Sequence, residues 1–184
     1  MPRPVAIPRL SEIDLGLLAG TLAFMLRPGD TVALHGDLGA GKTTLARALI
    51  RALSEGRIAE IPSPTFTLVQ SYETPRMSVL HADLYRLGDA SELIELGLDP
   101  PPQGAVLLVE WPERAGDALD ADRLEVSLSD PGVAGPDGGG LRDVTLSGLG
   151  GWEERAERIV AMYALIRRWR QGLGLGAVSV RYMQ

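Results

Sequence analysis

The chain contains no cysteine, no asparagine and one lysine, against 17 arginines, in 184 residues. Without cysteine there is no disulfide and no thiolate metal site. No apolar run approaches the roughly 20 residues of a membrane-spanning helix. The first segment, "MPRPVAIPRL", lacks the apolar core of a signal peptide. These absences lead us to expect a cytoplasmic protein with no membrane partner. Basic residues are also in deficit: 18 Lys and Arg face 24 Asp and Glu, for a net charge of −6 and a pI near 5.0. Binding to nucleic acid rests on neutralising phosphates, so an acidic chain of this kind is not expected to grip it unaided. The scarcity of lysine and asparagine, beside abundant Arg, Ala, Gly and Leu, matches the drift of a GC-rich coding sequence.

Lysine survives that drift at one position, Lys42, inside "GDLGAGKTT" at residues 36–44. Gly36-x-x-x-x-Gly41-Lys42-Thr43 satisfies the phosphate-binding P-loop pattern in full. The glycines let backbone N–H groups turn inward around an anion, and the helix beginning near Lys42 adds its positive dipole end. A compact ammonium on a flexible stem fits between the β- and γ-phosphates where a planar guanidinium does not. The Thr43 hydroxyl is placed to complete the coordination of Mg²⁺. The bland alternative is a glycine-rich turn with a surface lysine.

The flanking pattern supplies the required strand–loop–helix order. "TVALHG" (31–36) reads as a buried strand and "KTTLARALIRAL" (42–53) as a helix. "SEIDLGLLAGTLAFMLRPGD" reads as a helix capped by Ser11 and stopped at Pro28-Gly29. "TFTLVQSYE" (65–73) and "MSVLHAD" (77–83) read as strands of a hairpin across "TPR". "DASELIELG" (89–97) reads as a short helix with Asp89 and Glu92 at capping-box spacing. "AVLLVEW" (105–111) is the most apolar strand and is expected at the centre of a parallel sheet. "RLEVSLSD" and "LRDVTLSG" bracket the turn-rich "PGVAGPDGGG" (131–140), and "WEERAERIVAMYALIRRWRQ" (152–171) reads as a helix. The fold class expected is a three-layer α/β P-loop NTPase fold with a mixed, mainly parallel sheet and a late antiparallel strand pair. Residues 1–150 form the expected P-loop ATPase domain, and 151–184 a helix and tail packed on it or extending from it.

A P-loop nucleotidase also needs a strand-end carboxylate for Mg²⁺. Glu110 ends "VLLVE" and Asp83 ends "VLHAD"; either suits a hard cation, and either is otherwise a solvated strand end. Thr65, in the Pro-stiffened "SPTFT" (63–67), can present a hydroxyl to the γ-phosphate, or that stretch is only a turn. Trp111 is a lid element or a buried core residue, and Arg86 a charge-stabilising or a solvated arginine. His35 and His81 are read as packing residues. GTPases commonly read guanine with an Asn/Thr-Lys-x-Asp motif. With Lys42 committed to the loop and no second lysine, ATP is the favoured nucleotide. A small-molecule kinase using Asp83 as base toward a substrate hydroxyl is the competing reading.

"GDLGAGKTTLARAL", "SPTFTLVQSYE", "HADLYRL" and "LVEWPER" occur in that order. This combination resembles the TsaE (YjeE) family, small bacterial P-loop ATPases of the tRNA threonylcarbamoyladenosine pathway, from about Ser11 to about Gly148. The resemblance implies ATP and Mg²⁺ as cofactors. It implies hydrolysis that is slow alone and stimulated by the TsaD–TsaB transferase pair. The tRNA is then reached indirectly, by a monomer or weak oligomer. By the same resemblance Asp37, Leu38, Gly39, Ala40, Gly41, Lys42, Thr43 and Thr44 hold the phosphates. Thr43 and Glu110 hold Mg²⁺, Asp83 and Thr65 lie near the γ-phosphate, and Trp111 lies near the nucleotide edge. Three features depart from the family pattern: Leu15 stands where a threonine is frequent, and Ala82 where an aromatic is common. The third is a terminal helix bearing Arg167, Arg168 and Arg170, which runs on into a glycine-rich tail.

Overall fold

Short runs of valine, leucine and alanine, punctuated by glycine and proline, become the strands of one seven-stranded sheet. The structure, a computed structural model, describes residues 4–89, 91–98, 103–135 and 138–172. In chain order the elements are β1 (Val5–Leu10), α1 (Glu12–Met25), β2 (Thr31–His35), α2 (Lys42–Leu53), β3 (Val69–Glu73), β4 (Ser78–Asp83) and α3 (Glu92–Glu95). They continue with β5 (Ala105–Glu110), a 3₁₀ segment at Pro112–Ala118, β6 (Leu124–Ser129), β7 (Arg142–Gly148) and α4 (Trp152–Gly172). The sheet order is β1-β7-β6-β2-β5-β4-β3. The central strands β6, β2, β5 and β4 are mutually parallel. Antiparallel pairs close both flanks: β7 with β6 and with β1, and β3 with β4. The sheet is therefore mixed and mostly parallel, with the expected late antiparallel pair.

Alternation along β5 explains the three layers. Successive side chains of a strand point to opposite faces. Val106 and Leu108 join the cluster that contains Leu18 and Leu22 of α1 and Leu45 and Leu49 of α2. Leu107 and Val109 join a second cluster with Leu84, Leu87, Leu93 and Ala115. Every residue of β5 is buried, the pattern of a strand covered on both sides. α1 begins with a capping box: the Asp14 amide donates to Ser11 Oγ at 3.2 Å, and the Ser11 amide donates to Asp14 Oδ2 at 3.3 Å. α4 buries Trp152, Ala156, Ile159 and Tyr163 at spacings of three to four residues, packing on α1, β7 and β1.

Two sequence expectations change. Residues 64–67 form turns, so β3 begins only at Val69. The Leu68 amide donates to the Pro64 carbonyl at 2.7 Å, and Leu68 takes a φ of 62°, which the strand geometry forbids. The first segment, given no element by its proline-broken pattern, is an edge strand instead. Pro4 precedes the strand and Pro8 lies where the β1–β7 register shifts, so neither proline costs a regular ladder bond. Of the glycine-rich tail expected at 172–184, Gly172 closes α4 and the remainder lies outside the described residues.

Candidate nucleotide-binding site

The parallel strands deliver their C-terminal ends to one edge of the sheet, the edge where open α/β sheets bind ligands. Asp83 ends β4 and Glu110 ends β5, and the two are register partners. Beside them the chain leaves β2 and turns through the glycine loop. Gly36 has a φ of 138°, and a β-carbon there would collide with the Leu128 carbonyl of β6, so the turn requires glycine. Gly41, at φ 105°, is the N-cap of α2, and among the described residues no side chain caps the first amides of that helix. Those amides are the raw material of an anion site.

Lys42 is 4% exposed. Its Nζ donates to the Gly36 carbonyl at 2.6 Å and to the Asp37 carbonyl at 3.0 Å. It also lies 3.6 Å from the centroid of the Trp111 indole. Burial pushes its pKa below the ordinary lysine value, against the opposing pull of Glu110, Glu113, Asp83 and Asp37. Trp111 itself is held at φ 59°, a conformation unusual for so bulky a residue, and its ring meets Tyr85 at a centroid distance of 4.9 Å.

Both acids are buried: Glu110 is 2% and Asp83 4% exposed. Thr43 Oγ1 donates to Glu110 Oε2 at 2.7 Å. His81 Nε2 lies 2.8 Å from Glu110 Oε1, within hydrogen-bond distance. Thr65 Oγ1 donates to Asp83 Oδ2 at 2.9 Å and in turn accepts from Ser63 Oγ at 2.8 Å. The Tyr85 amide donates to Asp83 Oδ1 at 3.1 Å. The prolyl turn before β3 thus carries a threonine hydroxyl across to the end of β4.

Leu38, Gly39, Gly41, Lys42, Thr43, Thr44, Thr65, Asp83, Glu110 and Trp111 line one open cleft, with Tyr85 added. Asp37 and Ala40 do not line it. Asp37 gives its carbonyl to Lys42, and Ala40 is buried with its amide donating to that same carbonyl at 3.1 Å. Leu38 and Phe66 stand exposed beside the cleft, and the Arg86 guanidinium lies 4.5 Å from the Phe66 ring centroid. Leu15 is buried in the core. The sequence reading missed His81 as a partner of Glu110. The signal was its position two residues before Asp83, on the same face of β4. His35 is also not a simple packing residue; it bonds Glu125 and lies 3.6 Å from Glu113.

Among the described residues no three His, Cys, Asp or Glu side chains gather as a metal cluster. One hydroxyl and one or two buried carboxylates are nevertheless the donor set Mg²⁺ takes when phosphates and water complete its shell.

Four parallel strands, a glycine loop between β2 and α2, and acids at adjacent strand ends define a P-loop fold. Comparison with known proteins narrows the class. The model of the family "Threonylcarbamoyl adenosine biosynthesis protein TsaE" matches residues 11–134, and the chain belongs to that family. Curated relatives with the name "tRNA threonylcarbamoyladenosine biosynthesis protein TsaE" include one from Rickettsia felis. It is 43% identical over 118 residues, covering 64% of this chain and 68% of the relative. One from Bacillus subtilis is 37% identical over 134 residues, covering 72% and 78%. One from Streptomyces coelicolor is 38% identical over 136 residues, covering 72% and 89%. The crystal structure of Bacillus subtilis YdiB matches with a TM-score of 0.65 and 27% identity, covering 91% of this chain and 98% of that one.

Proposed function

We propose that this chain binds and hydrolyses Mg²⁺-ATP in support of threonylcarbamoyladenosine formation in tRNA, acting on a TsaD–TsaB-type transferase pair. The observation that carries the reading is the 2.7 Å hydrogen bond between Thr43 and Glu110 beside the buried ammonium of Lys42. It brings the loop hydroxyl and a strand-end carboxylate together where a phosphate-bound cation would sit. Thr43 and Glu110 would hold Mg²⁺, which when bound neutralises charge on the phosphate oxygens. The amides at the start of α2 and the Lys42 ammonium hold the phosphates. Asp83, oriented by Thr65 and the Tyr85 amide, positions water on the γ side. Trp111 walls the nucleotide edge. The family membership and the names of the relatives support the pathway. The absence of a second lysine and of asparagine supports ATP over GTP.

Phosphate release measured with the chain alone and with TsaD and TsaB added tests this. Slow turnover that rises with the partners supports it, and Lys42→Ala abolishes the activity in a protein that melts normally. Equal turnover in Lys42→Ala would overturn it.

A further inference from the structure

The start of β7 lies against the outer side of the glycine loop, and its first residue is Arg142. Arg142 is outside the 11–134 segment matched by the family model. Its Nη2 donates to the Gly39 carbonyl at 3.2 Å, and its Nη1 donates to the Leu141 carbonyl at 2.6 Å. A β-carbon built on Gly41 would meet Arg142 Nε at 3.5 Å, so the guanidinium lies directly behind the residue that caps α2. Nε is buried and has no hydrogen-bond partner among the described residues. Among the described residues the acid near this cation is Asp130, 3.5 Å from Nη1 and itself largely exposed. An exposed carboxylate at that distance neutralises an arginine weakly.

The contact has a geometric consequence. In a peptide unit the C=O and N–H point in opposite directions and turn together. The Gly39–Ala40 unit is held at both ends: its carbonyl by Arg142, and its N–H by the Asp37 carbonyl at 3.1 Å. Gly39 has a φ of 79° and Gly41 a φ of 105°, and both are glycines with wide freedom to turn elsewhere. Lys42 ties the Gly36 and Asp37 carbonyls from within, and an outside constraint on the Gly39 carbonyl narrows the loop's remaining freedom. Arg142 supplies one, from a strand fixed in the sheet by β6 and β1. It also sets a second positive charge behind the phosphate cradle.

We propose that Arg142 is a positioning residue for the phosphate loop, clamping the Gly39–Ala40 peptide from behind so that the loop is preformed for polyphosphate. The inference rests on the nucleotide reading of this cleft. It assigns to the β7 end a function in affinity, not in the chemical step: the loss on removing Arg142 falls on binding and KM, with kcat preserved at saturation.

The test compares wild type, Arg142→Gln and Arg142→Lys in the full chain. Affinity is measured with a fluorescent Mg²⁺-ATP analogue and with inorganic tripolyphosphate, and melting is measured without ligand. Arg142→Gln is expected to weaken both ligands by about tenfold, the scale of one charge-assisted hydrogen bond. Arg142→Lys, which keeps a cationic donor, should stay within about threefold of wild type. Melting temperatures should match, and kcat with TsaD and TsaB should hold at saturating ATP. Wild-type affinity in Arg142→Gln, with wild type itself binding, overturns the clamp and leaves the nucleotide reading standing. Equal losses in the Gln and Lys variants together with lowered melting also overturn it, as a plain packing defect. Failure of wild type to bind either ligand overturns both.

Discussion

Glu110 has both carboxylate oxygens committed, one to a threonine on the loop and one to a histidine on the neighbouring strand. His81 therefore fixes the orientation of the acid while Thr43 faces the cleft. Removing an outer partner of a metal-binding carboxylate typically costs 10- to 100-fold in metal affinity. In His81→Phe we expect the Mg²⁺ concentration for half-maximal hydrolysis to rise by about that factor, with ATP affinity in the absence of metal little changed. An unchanged Mg²⁺ dependence would make His81 a core residue only. Trp111 offers a second handle, because Lys42 lies against its ring. A phosphate that draws Lys42 toward itself must weaken this contact, so nucleotide binding should change the indole emission. The change is expected to persist in Trp169→Phe, whose tryptophan lies exposed far along α4, and to vanish in Trp111→Phe. Persistence in Trp111→Phe would mean that the ring does not sense the ligand.

At the scale of elements, α4 is fastened to the body of the fold by Arg155. Its guanidinium donates to Asp30 Oδ1 at 2.8 Å, to Asp30 Oδ2 at 2.6 Å and to the Met25 carbonyl at 2.7 Å, and stacks 3.6 Å from the Trp152 ring centroid. Removing one partner of a half-buried pair leaves the other charge without compensation. Arg155→Ala should lower stability by about 3 kcal/mol in urea unfolding, with nucleotide affinity unchanged. A loss below about 1 kcal/mol would show α4 to be held by its apolar face alone. A second fastening joins β6 to β2. Burial alone would raise the pKa of Glu125, but hydrogen bonds and charge from His35 and Arg123 outweigh it and leave the carboxyl below its ordinary value. Its contribution is therefore complete above the unfolded carboxylate value and is lost as pH falls through the lower folded value. Acid titration of stability should show a smaller decline for Glu125→Gln than for wild type; parallel curves would exclude the pair from the acid response.

The central parallel strands, α1, α2 and α4 were legible because each is long or strongly patterned, and the glycine loop because its spacing is chemically specific. β1 was not, since two prolines hide an edge strand whose pairing partner lies more than a hundred residues away. Residues 65–67 fit both a strand over 65–73 and a loop over 63–67; the loop is what forms, because its geometry overrides the strand preferences of its threonines and phenylalanine. Of the residues that line the cleft, Lys42, Thr43, Asp83 and Glu110 follow from motif and strand-end position, whereas the pattern leaves Thr65 open to a plain turn and Trp111 to a core position. His81 and Arg142 do not follow, because each meets the site by a cross-strand or loop-backbone contact that only the folded sheet creates.

For the molecule as a whole, an acidic chain with a cationic pocket set among buried acids is expected to attract a polyphosphate only at that pocket and only with a cation to offset the acids. Isothermal titration of the full chain with a non-hydrolysable ATP analogue, with and without Mg²⁺, for wild type and Lys42→Ala, measures this most directly. The expected result is one saturable site in wild type, strengthened by Mg²⁺, and no detectable heat in a folded Lys42→Ala variant. Matching isotherms for the two proteins, or no binding to wild type, would contradict the assignment of the cleft to a nucleotide.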